Sequence, residues 1–482
     1  MAAKQLANGR ETKDLADTVL HGQASAGPQK SKRRRHCRLE GFKQGNPEIA
    51  KGKRNDRALQ TVQALCRQVE GARALMSDLK NLTPNQRNVI LACFLGWTLD
   101  AFDFFIIIFV LKDIAKEFNT DIPSVTATLF LTLAMRPLGA FLFGMAADRF
   151  GRRPTLMVNI LFYSIVELLS GFAPSLTVLV ILRGLFGIAM GGEWGVGASL
   201  TMETIPPNTR GTVSGLLQAG YPSGYLLAAI LYGTSYHFLG WRGMFIVGAF
   251  PALLVFFIRR NVEESPAWKL HSRQPTRILQ TIKGRWRLFV YVIILMTAFN
   301  SFSHGTQDIY PTFLQVQHKF PPEIVSTIAI IYNIGAILGG LVFGTFSERI
   351  GRRRTIVLAA LLTLPVIPLW AFSNNVLLLS IGAFLVQFFV QGAWGVIPVH
   401  LNELSPDSVR GTFPGFTYQL GNFFASKNGT IQTTFAVSLG NNYGLALATT
   451  AAIVASAVAI ITALGPEAHR VKFGGGHGSS DR

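Results

Sequence analysis

Apolar residues in this chain come in blocks of about twenty, and that feature decides most of what it can fold into. Val89–Leu111, Ile324–Phe343 and Leu445–Leu464 each reach the roughly 20 mostly apolar residues that cross a bilayer as a helix. Backbone immersed in lipid must satisfy its own hydrogen bonds, so repeated blocks of this length specify a bundle of membrane helices. The 482 residues are 49% hydrophobic and only 15% charged, which excludes a disordered chain and a water-soluble enzyme. The three cysteines, Cys37, Cys66 and Cys93, are too few and too scattered for a disulfide framework or a zinc site. Neither G-x-x-x-x-G-K-[ST] nor H-E-x-x-H occurs, so no metal, no cofactor and no ATP-driven pump is expected.

Twelve spans are predicted, at 88–111, 124–147, 155–173, 176–200, 212–233, 241–258, 288–312, 324–347, 355–372, 375–401, 412–436 and 442–464. The connections after the even-numbered spans carry 17 Lys and Arg, and the others carry 3. The positive-inside bias puts the richer set in the cytoplasm, and with an even span count both termini follow. A multi-pass protein of the plasma or inner membrane is expected. Residues 1–87 hold 18 Lys+Arg and 8 Asp+Glu, including Lys32-Arg33-Arg34-Arg35, and read as a basic, disordered cytoplasmic tail. The net charge of +19 sits beside membrane spans, where loop bias explains it better than nucleic acid. The expected domains are the tail, a six-helix bundle over 88–258, a cytoplasmic linker over 259–287, a second bundle over 288–464, and a tail over 465–482.

The two halves repeat. Gly144-x-x-x-Asp148-Arg149-x-Gly151-Arg152-Arg153 returns as Gly344-x-x-x-Glu348-Arg349-x-Gly351-Arg352-Arg353. Trp194-Gly195-Val196, Glu203 and Arg210-Gly211-Thr212 return as Trp394-Gly395-Val396, Glu403 and Arg410-Gly411-Thr412, always 200 residues on. One offset shared by separate motifs implies two pseudo-symmetric six-helix bundles in an all-α membrane protein. Glycines in the loop motif let helices approach closely, and its acids can pair with arginines at a seam that closes in one state and breaks in another. Asp148, Arg149, Arg152, Glu203 and Arg210, with Glu348, Arg349, Arg352, Glu403 and Arg410, are therefore candidate gating residues. The alternative is that they hold static loops.

The G-x-x-x-D-R-x-G-R-R loop, with Arg183-Gly184 and Gly191 in span four, resembles the signatures of the major facilitator superfamily across about residues 88–464. That resemblance implies a secondary transporter that rocks between inward-open and outward-open states, a fold able to work as a monomer.

A charge inside a span is costly and marks function by default. Arg136 lies 12 residues before Asp148, so about 18 Å along span two, near mid-membrane. A guanidinium there can hold a carboxylate through two parallel hydrogen bonds; it could instead pair with Asp100 or Asp103. In span seven, Asn300, His304 and Asp308 fall four apart on one helical stripe, flanked by Ser303 and Gln307, and His304 and Asp308 can share a proton. Asp100, Asp103 and Glu193 are further candidates for proton coupling. Gln218, Tyr221 and Tyr225 share a face of span five and could line a cavity. Glu167 and Lys427 have no evident role.

The segment 300–312 fits N-x-x-[ST]-H-x-[ST]-Q-D-x-x-x-T and resembles fungal lactate permeases and their bacterial relatives in the sialate:proton symporter family. Trp97–Phe105 and Tyr418-Gln419-Leu420-Gly421-Asn422 are similar too. The resemblance implies proton-coupled transport of a small carboxylate, with Asn300, His304 and Asp308 important for it. The short linker points to a lactate-like monocarboxylate over a sialate or dicarboxylate. A facilitator or exchanger, or a non-transporting carboxylate receptor, remains open on the same residues.

Overall fold

A computed structural model describes residues 81–120, 122–271 and 278–473. Residues 1–80 of the tail expected over 1–87 lie outside the described residues, as do 474–482. The first helix, α1 (Pro84–Glu117), begins ahead of the expected boundary at 88. Thr83 and Gln86 form a reciprocal capping box there, with Pro84 in the first turn, so the chain enters the helix before its apolar stretch starts.

The N-terminal half continues with α2 (Ile122–Phe150), α3 (Arg152–Gly171), α4 (Leu176–Thr204), α5 (Arg210–Gln218), α6 (Gly220–Val247) and α7 (Ala252–Asn261). The linker carries two short helices, α8 (Pro266–His271) and α9 (Ile278–Gly284). The C-terminal half holds α10 (Trp286–Gln307), α11 (Tyr310–Val316), α12 (Pro322–Ile350), α13 (Arg352–Thr363), α14 (Ile367–Phe372), α15 (Val376–Leu404), α16 (Phe413–Ala425), α17 (Asn428–Ser438) and α18 (Tyr443–Leu464). No strand occurs among the described residues.

Among the described residues, nine spans are long and apolar enough to cross a bilayer unaided. The other three expected spans are broken. Spans five and six run together through α5, α6 and α7, with a sharp turn at Gly240, whose φ of 59° suits a residue without a Cβ. Span eleven is α16 plus α17, interrupted at Ser426-Lys427. With these three restored, the fold is the twelve-helix arrangement.

The repeat is visible in the helix limits: α2 and α12 both start and stop 200 residues apart, as do α4 and α15. Small residues set the packing. A Cβ at Gly191 would lie 2.0 Å from the Arg136 carbonyl oxygen, and one at Gly339 would lie 1.9 Å from that of Phe388. Backbones in contact at this range are how helices gain dispersion energy in lipid, where burial alone gives none.

Candidate functional site

At the end of the molecule carrying the repeated loops, the halves meet on backbone. A Cβ at Gly144 would fall 2.6 Å from the Thr412 Cα, and one at Gly215 would fall 2.2 Å from the Gly340 carbonyl oxygen. Asp148 accepts from the Gly411 N–H at 2.7 Å, the Thr412 N–H at 3.0 Å and the Thr412 hydroxyl at 2.7 Å. Its repeat partner Glu348 accepts from the Gly211 N–H. Each carboxylate thus reaches from its own half to the first turn of the other half's fifth span.

Within each half, one arginine holds two acids. Arg152 lies 3.1 Å from Asp148 and 3.0 Å from Glu203, while Arg352 lies 3.1 Å from Glu348 and 3.0 Å from Glu403. Arg210 and Arg410 instead cross the seam: Arg210 stands 3.9 Å from Glu403, and Arg410 stands 3.7 Å from Glu203. The gating candidates therefore form one interlocked cluster, not the two separate sets that the repeat suggests. Arg149 and Arg349 are exposed. The glycine of each loop motif serves the turn, with φ of 108° at Gly151 and 95° at Gly351. The following N–H groups donate to an acid from a neighbouring loop, Glu264 in one half and Glu467 in the other. Glu264 lies in the linker, where burial pushes its carboxyl up against the opposing pull of these backbone donors.

Beyond this seam lies a cavity of about 420 Å³ between the halves. Arg136, Gln218, Tyr221 and Tyr225 line one side; Asn300, His304, Gln307 and Asp308 line the other. Arg136 is 3% exposed. Its guanidinium donates to the Met190 sulfur at 2.5 Å and sits 5.2 Å from the centroid of Phe104, and its Nε has no partner. It makes no ion pair with Asp100 or Asp103, whose carboxylate oxygens have no hydrogen-bond partner. A buried cation that lines a cavity is equipped to take an anion.

Opposite it, His304 Nδ1 lies 3.2 and 3.1 Å from the two carboxylate oxygens of Asp308, and Nε2 lies 3.3 Å from Asn422 Oδ1. The helix breaks directly after this pair, α10 ending at Gln307 and α11 starting at Tyr310. Their side chains are 27% and 41% accessible, so water reaches both. Asn300 turns back to the Met296 carbonyl at 2.7 Å and closes the inner end of the stripe.

Asp100, Asp103 and Glu193 do not line the cavity. They are buried inside the N-terminal bundle, and both oxygens of each lack a hydrogen-bond partner. Glu167 pairs with Arg183, whose guanidinium also donates to Ser170 at 2.9 Å and packs over Phe186 and Phe245. Lys427 is exposed at the break in span eleven and is not a cavity residue.

The cavity also has residues that the charge-in-span argument passes over. Gln387 and Gln391 on α15 reach it and donate to the hydroxyls of Thr306 and Ser303, each at 3.2 Å. Asn333, Trp394, Tyr418 and Asn422 complete that wall. Gln387 and Gln391 are four apart in the otherwise apolar stretch 381–399 of α15, a spacing that could have flagged them.

Fold and site together define a multi-pass membrane transporter rather than an enzyme. Residues 93–426 and 293–476 match the profile of the Major Facilitator Superfamily, and the chain belongs to that family. It is 28% identical over 387 residues to "Carboxylic acid transporter protein homolog" of Saccharomyces cerevisiae, covering 74% of this chain and 63% of that protein, just under two thirds of the latter's length. It is 28% identical over 392 residues to "Sialic acid transporter NanX" of Escherichia coli, covering 80% of this chain and 95% of that one. The proton:xylose symporter XylE superposes with a TM-score of 0.66 at 18% identity, over 81% of this chain and 98% of its own, which shows a common fold.

Proposed function

We propose that this chain carries a small carboxylate together with protons, and that a lactate-like monocarboxylate is its substrate. The observation that carries this reading is Arg136, buried beside a 420 Å³ cavity and, among the described residues, in no ion pair with an acid. The relatives named for carboxylic acids and sialic acid support an acidic substrate.

In this scheme the carboxylate enters while the loop-end seam is shut and docks on Arg136. A proton taken up by the His304–Asp308 pair offsets the charge brought in. The loaded cavity then closes, and the Arg210–Glu403 and Arg410–Glu203 pairs let go as the halves part at the loop end. The orientation that fits the loop charges is seam and termini in the cytoplasm of a plasma or inner membrane. One chain contains every residue the scheme uses.

A second reading has one observation in its favour. The wall of Asn333, Gln387, Gln391 and Asn422 offers more hydrogen-bonding groups than a three-carbon acid can use, which suits a larger hydroxylated acid such as a sialate. Uptake of labelled lactate by cells at two external pH values, with sialate and dicarboxylates as competitors, separates the two. Lactate uptake that rises at low pH supports the first reading, and uptake abolished by sialate supports the second. Asp308→Asn is expected to abolish accumulation and its pH dependence while leaving exchange of labelled for unlabelled substrate. Accumulation retained in that variant removes Asp308 from coupling.

A further inference from the structure

After α18 the chain folds back under the seam, and residues 466–473 follow the gating cluster closely. Glu467 first takes the backbone N–H groups of Arg352 and Arg353, at 3.2 and 3.1 Å. The Arg470 N–H then donates to Glu403 at 3.2 Å, and its guanidinium donates to the Glu348 carbonyl at 3.0 Å. All of these partners belong to the C-terminal half. The next contacts cross to the other half: Arg210 donates to the Val471 carbonyl at 2.6 Å. The Phe473 ring receives two guanidiniums, with Arg210 3.6 Å and Arg410 3.8 Å from its centroid.

The linker does for the N-terminal half what Glu467 does for the C-terminal half, through Glu264. The linker goes on to contact the cluster as Arg470 does, with the Ser265 hydroxyl donating to Glu203 and the Trp268 indole to the Asp148 carbonyl at 2.9 Å, but nothing equivalent to Phe473 follows among the described contacts. The difference fits the charges. Arg410 has Asp407 beside it, whereas the position 200 residues earlier is Pro207, so Arg210 lacks that acid. The Val471 carbonyl and the Phe473 ring take its place. A ring face attracts a cation placed within about 6 Å of its centroid, and both guanidiniums meet that distance.

We infer that residues 466–473 are a strap that holds the loop-end seam shut, with Phe473 as its clasp, so that opening toward the loop side requires Arg210 to leave the strap. The kinetic consequence rests on the rocking mechanism above. The preference for the shut state does not depend on which substrate is carried.

The test uses the full chain in lipid vesicles, with spin labels on cysteines placed at Phe150 and Arg354, two exposed positions on opposite halves at the loop end. Phe473→Ala is expected to shift the shut-to-open ratio by on the order of tenfold toward the longer distance, from the loss of two cation–ring contacts. Phe473→Trp, which keeps a ring face, is expected to retain the parent distribution, and Phe473→Leu to follow the alanine variant. A distance distribution unchanged in Phe473→Ala, or leucine behaving as the parent, overturns the strap. Faster substrate exchange in Phe473→Ala extends the effect to transport. A shifted distance with no transport of any carboxylate counts against the substrate assignment and leaves the strap in place.

Discussion

The two bundles are alike at the loop end and unlike at mid-membrane. At the loops the repeat preserves nearly every charged residue: Asp148 and Glu348, Arg152 and Arg352, Glu203 and Glu403, Arg210 and Arg410. Halfway across, the same offset pairs Arg136 with Ala336, Arg183 with Ala383 and Glu193 with Ala393. In return, Gly187 and Gly191 become Gln387 and Gln391, and Leu133 becomes Asn333. One half keeps charge in the membrane, most of it sealed behind the cavity wall. The other offers neutral amides and a histidine–aspartate pair to the cavity itself. On the proposed reading, a seam that closes on both halves alike keeps its symmetry, and a cavity for a substrate with two different ends does not.

This contrast can be broken experimentally, and the largest effect is expected from the sealed charges. Arg183→Ala leaves Glu167 buried without its partner, which costs about 3–5 kcal/mol. Thermal unfolding in detergent should show the loss, and Arg183→Met with Glu167→Leu should recover most of it. Next comes the cavity cation. Arg136→Lys keeps the charge but loses the fork, and uptake is expected to fall about tenfold to a hundredfold, read as substrate affinity in vesicles. Near-normal affinity would take Arg136 out of the site. In the amide wall, Gln391→Leu removes a neutral hydrogen-bonding group and should weaken affinity only severalfold, in line with about 0.5–1.5 kcal/mol per bond.

The smallest effect belongs to a pair outside the lipid. Glu117, at the far end of α1, is pushed up by burial, but hydrogen bonds from Arg242 and Trp241 outweigh this and hold its carboxyl below the usual range. An acid depressed on folding stabilises above its unfolded pKa, and that contribution disappears as pH falls through the folded value. With the pair 36% and 43% accessible, Glu117→Gln should cost less than about 1 kcal/mol at neutral pH and progressively less as pH falls through the folded value.

Much of this organisation is legible in the sequence, for definite reasons. Span length is fixed by bilayer thickness, and a charge inside a span is rare enough to stand out, which is how Arg136, His304 and Asp308 are found. The same criterion also picks out Asp100, Asp103 and Glu193, because cost alone does not say which face of a helix looks into a cavity. It passes over Gln387, Gln391 and Asn333, since a neutral amide is a far weaker signal than a charge. The crossing of Arg210 to Glu403 and of Arg410 to Glu203 is also hidden. A repeat gives equivalent positions, and only tertiary packing decides which half supplies the partner. Spans five, six and eleven are legible as apolar stretches, but nothing in their hydropathy marks the breaks at Gly240 and at Ser426-Lys427.

The glycines at the seam bear on how the shut state ends. Where Gly144 and Gly215 lie against the opposite main chain there are no long side chains to stretch or repack as the halves begin to separate. A gap of about 0.5–1 Å already forfeits a quarter to a half of a dispersion contact, so much of the cohesion there is lost over a very short travel. Such a joint behaves like a snap fastener: it resists small displacements fully and yields all at once. A single methyl group inserted at either glycine would act as a shim that keeps the fastener from seating.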